Sequence, residues 1–195
     1  MYRTKSISIE IAQPYASRAD FCKVFADNLE NSHLVSFLLT ADETKAETSF
    51  VSALEECVEA NAVFRDWARS WARRTIIQNA VRMLQPRRYP HVSRPVRSAP
   101  VSCRFGRTPQ ANATIASILG LEDFERFVFV LSVLCKYSDQ DCSVLLNCSR
   151  QDIREVRPLA LRNVAGSERV RGGHRMGDQG CCSPALGRPE WGSLM

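Results

Sequence analysis

The sequence predicts an all-α protein with two small helical domains joined by a Pro/Arg-rich linker, ahead of a disordered C-terminal tail. Three observations predict it. Apolar residues recur at three- and four-residue spacing through 17–84 and again through 111–164. Between these blocks, residues 85–109 hold five prolines, six arginines and no acid, a composition that cannot build a core. Beyond Val164, residues 165–195 carry seven of the nine glycines and no apolar period. The expected layout is a helical bundle over 17–84, a flexible basic linker over 85–110, a second helical unit over 111–164 and a tail over 165–195.

Composition narrows the function. The 195 residues suffice for one or two small domains. No apolar run reaches the roughly 18 residues that a membrane span needs, so no membrane partner is expected. The N-terminus lacks a basic stretch leading into an apolar one, which reads against a secretory signal. Eight scattered cysteines with no CxxC read as reduced thiols of a cytoplasmic protein. The net charge of +5 is unevenly placed: −1 over 1–84, +6 over 85–120, −1 over 121–164 and +1 over 165–195. Arginine outnumbers lysine 22 to 4. Its forked donors suit phosphates and guanine edges, although a GC-rich genome gives the same excess.

Along the chain, residues 1–16 form a loose arm, with 7–11 as at most a short extended piece. Phe21, Val24, Phe25 and Leu29, then Val35, Leu38 and Leu39, place one or two helices over 17–39. Thr40 and Glu43 have capping-box spacing and open a helix over 41–60. Its buried stripe is Ala46, Phe50, Leu54 and Cys57, and Glu43, Glu47, Glu55, Glu56 and Glu59 make it acidic. Those acids form either a solvated face or a docking face. A long helix follows over 63–84. Phe64, Trp67, Ala68, Trp71, Ala72, Thr75 and Ile76 form one stripe and are assigned to the core. Arg65, Arg69 and Arg73 align beside it, with Arg74, Gln78 and Arg82 in a neighbouring row, an arrangement that fits nucleic acid. The linker after Pro86 either lies on nucleic acid by counterion release or is simply a spacer.

In the second block, 111–119 is a short helix ending at Gly120. A clear helix over 121–136 turns Phe124, Phe127, Val128, Leu131, Leu134 and Cys135 one way. The stretch 137–164 then reads as helix, tight turn, helix. Ser138 and Ser149 each precede an Asp by three residues, Asp141 and Asp152, and each pair resembles a capping box. Asn147 tolerates a left-handed conformation and stops the first helix. Cys142, Leu145, Ile153 and Val156 form the seam between the two. This is the layout of a helix-turn-helix DNA reader. Pro158 falls in the second helix and costs roughly 3 kcal/mol unless that helix kinks or ends there.

Two blocks together resemble bacterial RNA polymerase sigma factors of the small extracytoplasmic-function type. Leu38-Leu39-Thr40-Ala41-Asp42 is similar to the family's LLTGD-like turn, and Phe64-Arg65-Asp66-Trp67 to its FRAW-like helix start. The run Tyr137-Ser138-Asp139-Gln140-Asp141-Cys142-Ser143-Val144-Leu145-Leu146-Asn147-Cys148-Ser149 resembles the family's YS-x-x-(D/E)-(I/C)-A-x-x-L-x-C-S. The resemblance implies that helix 41–60 docks on the polymerase core. Helix 63–84 would face the promoter element near the start site and help separate the strands, with Arg65, Arg69, Arg73 and Arg74 toward DNA. The helix from Arg150 would read the more distant element through Ser149, Arg150, Gln151, Arg154 and Arg157. Core RNA polymerase and promoter DNA are the implied partners, with an inhibitory anti-sigma protein as a further one.

No catalytic centre is proposed: His33, His91 and His174 lie far apart, none beside a motif-placed nucleophile. His174, Cys181 and Cys182 match no zinc spacing, so neither metal nor cofactor is expected. Two other readings compete. One is a regulatory or interaction protein on the same fold that does not direct initiation. The other is a helix-turn-helix repressor, for which no dimerising segment or heptad run is present.

Overall fold

The computed structural model describes residues 14–59, 62–87 and 108–172. Among them there are eight α-helices and no strand. Four belong to the first block: α1 (Arg18–Asp27), α2 (Leu29–Thr40), α3 (Glu43–Glu59) and α4 (Ala68–Leu84). Four belong to the second: α5 (Pro109–Leu119), α6 (Asp123–Phe129), α7 (Asp139–Leu146) and α8 (Arg150–Gly172). The expected linker lies mostly outside the described residues, as does the arm before Pro14. The end of that arm is nevertheless tied down. Ala16 N–H donates to the Val63 carbonyl at 2.7 Å, and Arg65 N–H to that of Pro14 at 2.9 Å.

Local chemistry sets the helix starts. Ser17 caps α1 with a full capping box: its hydroxyl accepts from Asp20 N–H, and Asp20 accepts from Ser17 N–H at 2.8 Å. Thr40 does not open α3, contrary to the capping-box reading. It closes α2, its buried hydroxyl donating to the Ser36 carbonyl at 2.9 Å. Ala41 turns left-handed (φ 53°), and Asp42 accepts from Lys45 N–H at 3.0 Å to begin α3. An acid one residue past the turn is the cap, while the Thr40 hydroxyl lies within hydrogen-bond distance of the Ser36 carbonyl behind it and of the Asp42 carbonyl ahead at 3.0 Å.

The first four helices close on small polar contacts. Ser36 donates to the Ala46 carbonyl at 2.9 Å, joining α2 to α3, and Ser49 donates to that of Ile76 at 3.1 Å, joining α3 to α4. Both serines are fully buried. Their size lets the backbones approach, and the bonds satisfy hydroxyls that water cannot reach. Phe21 and Phe25 of α1, Cys57 of α3 and Ile76 of α4 form a smaller core.

The larger core crosses between the blocks. Phe37, Leu38 and Leu39 of α2 and Ile77 and Ala80 of α4 pack with Ile118, Phe127, Leu131 and Ile153 of the second block. The expectation was two domains on a linker; the structure has a shared apolar centre instead. The end of α6 and the start of its continuation are accordingly buried all round, from Arg126 to Leu131. That continuation of α6, Val130–Leu134, is a π-helix, with Cys135 N–H donating to the Val130 carbonyl at 2.8 Å.

Arg126 is the cation in this centre, its side chain 5% exposed. Its Nε donates to the Leu39 carbonyl (3.1 Å), one Nη to the Leu121 carbonyl (3.0 Å) and the other to Asp123 (2.6 Å). Leu39 lies in the last turn of α2 and Leu121 just past α5, so one guanidinium serves carbonyls at two helix ends. Burial pushes its pKa below the usual arginine range, and Asp123 opposes that shift.

Candidate nucleic-acid interface

Two surfaces carry the residues singled out in the sequence. The first is the entry to α4. A 3-10 turn, Arg65–Trp67, precedes the helix, which becomes regular only at Ala68. This corrects the expected stripe. Ala68, Ala72, Thr75 and Ile76 are buried, but Phe64, Trp67 and Trp71 are 44, 62 and 45% exposed. A 3-10 turn advances three residues per turn, so spacing counted at 3.6 from Val63 assigns the wrong face. Trp71 stands at the edge of the buried arc. Phe64 stacks on Tyr15 with ring centroids 5.1 Å apart and meets Trp67 edge-on at 5.2 Å. The result is an exposed aromatic cluster of Tyr15, Phe64 and Trp67, with Trp71 one turn on.

The arginines beside it divide. Arg65 and Arg69 are exposed; Arg65 pairs with Asp20 at 3.2 Å, and Arg69 donates to the Asn28 side chain. The Ser17 hydrogen bonds, reinforced by Arg65, hold the Asp20 carboxyl below its ordinary pKa. Arg73 and Arg74 are half-buried and turn toward the second block. Burial pushes the Cys135 thiol up in pKa and the Arg73 charge opposes that rise; both arginines oppose a similar rise at Tyr137. Arg74 lines a groove of about 180 Å³ with Gln78, Arg82 and Val144, where α7 passes α4. The four arginines expected to share one DNA-facing surface are therefore not brought together.

The second surface is the outer face of α8. Helix α7 is capped by Ser138, whose hydroxyl accepts from Asp141 N–H at 3.1 Å. It stops at Asn147, left-handed at φ 50°. Ser149 and Asp152 then form the expected reciprocal cap: Asp152 N–H donates to the Ser149 hydroxyl (3.1 Å) and Ser149 N–H to the Asp152 carboxylate (3.0 Å). Cys142, Leu145, Ile153 and Val156 are all buried, so the expected seam forms. Burial pushes the Cys142 thiol up to about 11.

Arg150, Gln151 and Arg154 consequently face solvent. Gln151 donates to Glu155 at 2.9 Å. Arg154 donates through Nε to Asp139 at 3.0 Å, and Arg157, 33% exposed, donates to the other oxygen of the same carboxylate. Ser149, expected among the DNA contacts, is engaged as the helix cap. Pro158 neither ends nor stops α8, which continues to Gly172 and past the expected start of the tail. The proline is exposed, so the carbonyl it deprives of a partner can meet water.

Asp139, Arg126 and the exposure of the aromatics were not read from the sequence. Arg126 had a signal, a charge that with Glu125 interrupts the apolar stretch Phe124 to Leu131. Among the described residues, no cluster of His, Cys, Asp or Glu is gathered to hold a metal ion, and no helix is long and apolar enough to cross a membrane. Comparison with known protein families, curated proteins and solved structures finds no match for this chain.

Proposed function

We propose that this protein is a sigma-like transcription initiation factor, a non-enzymatic protein that binds core RNA polymerase and recognises promoter DNA. The observation that carries the reading is the α7–turn–α8 unit. A buried seam joins α8 to α7, and Arg150, Gln151 and Arg154 stand outward within little more than one turn. Such a helix fits a major groove, where arginine addresses guanine and glutamine adenine. The entry to α4 supports a second contact. Exposed Phe64, Trp67 and Trp71, with Arg65 and Arg69 beside them, offer stacking faces and charge to separated bases. The acidic side of α3, with Glu47, Glu55 and Glu59 exposed, is the surface for polymerase.

A second reading keeps the fold and removes promoter-directing activity. It is favoured by the shared core, which turns Arg73 and Arg74 toward the second block. The two readings separate experimentally. The full chain is expected to co-purify with core polymerase and to support promoter-specific transcription in a reconstituted reaction. Polymerase binding without transcription would favour the second reading, and no binding at all would overturn the first.

A further inference from the structure

Asp139 is the first residue of α7, and its carboxylate is shared between two arginines of α8. One oxygen accepts from Arg154 Nε at 3.0 Å and the other from Arg157 Nη2. The three side chains differ in exposure: 68% for Arg154, 33% for Arg157 and 24% for Asp139. The carboxylate thus sits at the base of the exposed face, with the more exposed guanidinium reaching outward from it.

The geometry points to Asp139 as a positioning residue for duplex recognition by α8, an inference that rests on the DNA-binding reading above. A long arginine side chain free in solvent samples many rotamers, and ordering it on DNA costs affinity. An acceptor on Nε fixes the plane of the guanidinium and engages its inner edge. The opposite edge, formed by the two terminal nitrogens, is the one that addresses guanine O6 and N7 as a fork. Asp139 would thereby convert Arg154 from a diffuse phosphate contact into an oriented base contact. Arg157, held by the second oxygen, keeps that carboxylate from rotating. A negative charge close to phosphates weakens binding to any duplex, so the carboxylate trades general affinity for discrimination.

The test uses the full-length chain and a duplex enriched by the wild type from a randomised pool, against the same duplex scrambled, across a salt series. Asp139→Asn should bind the scrambled duplex as tightly as the wild type or tighter. It should lose about fivefold or more in preference for the enriched duplex. Asp139→Glu, which keeps the carboxylate, should recover most of that preference. In an Arg154→Ala background, Asp139→Asn should change the preference no further. Asp139→Ser also suits a helical first turn, and it replaces Asp139→Asn in every comparison if the latter melts well below the wild type. Preference retained by the Asp139 variants but lost in Arg154→Ala would overturn the positioning role and leave the DNA-binding reading intact. No duplex enriched by the wild type, or a preference unmoved by Arg154→Ala, would overturn both.

Discussion

Ala41 shows how a single residue carries strain that its neighbours impose. Its φ of 53° lies where an L side chain crowds the following carbonyl. The turn is required because Thr40 closes α2 while Asp42 must begin α3. Ala41→Gly should therefore stabilise the fold by about 1 kcal/mol, read as an upward shift in thermal melting. A decrease would mean that the lost methyl packs. The four left-handed non-glycine residues among those described differ in legibility for the same reason. Asn147 is a residue type that adopts this conformation cheaply, so its turn could be read directly. Ala41, Gln85 and Lys136 are not, and their conformations follow from packing that adjoining residues do not encode.

Helix starts are legible wherever a serine hydroxyl accepts from the amide three residues on. Ser138 with Asp141 and Ser149 with Asp152 are three residues apart and need no distant partner, so α7 and α8 begin where their sequence says. The buried seam of Cys142, Leu145, Ile153 and Val156 followed from helical spacing alone. The entry to α4 was misread because an unseen 3-10 turn shifted the register, which put Phe64, Trp67 and Trp71 outside rather than in the core. The expectation that helix α8 kinks or ends at Pro158 meets a helix that runs on past the proline to Gly172. Its stability comes from Ile153, Val156, Ala160 and Val164, buried on both sides of the proline along one face. Pro158→Ala restores a backbone donor on the exposed side without touching that face. It is expected to stabilise the protein by as much as about 3 kcal/mol in urea unfolding. A destabilised variant would show that the proline's shape is needed.

Packing across the whole molecule was the least legible level. Helix α2 lies some 90 residues from α6, yet Phe37, Leu38 and Leu39 share a core with Phe127 and Leu131, and Arg126 bonds to the Leu39 carbonyl. Nothing in the local pattern of either block announces that pairing. Arg126→Met keeps much of the volume but leaves the Leu39 and Leu121 carbonyls without their donor. It should cost roughly 3–5 kcal/mol, measured by urea unfolding. A loss below about 1 kcal/mol would mean that the two blocks hold together without this cation. The same closeness turns Arg73 and Arg74 away from solvent while α8 keeps its outer face open, so the account rests on α8. Its most direct test is equilibrium binding of wild type and Arg154→Ala to an enriched duplex and to single-base variants of it. Arg154→Ala is predicted to lose roughly 1–3 kcal/mol of discrimination at one base pair. An unchanged preference at every position would contradict the placement of α8 in a groove.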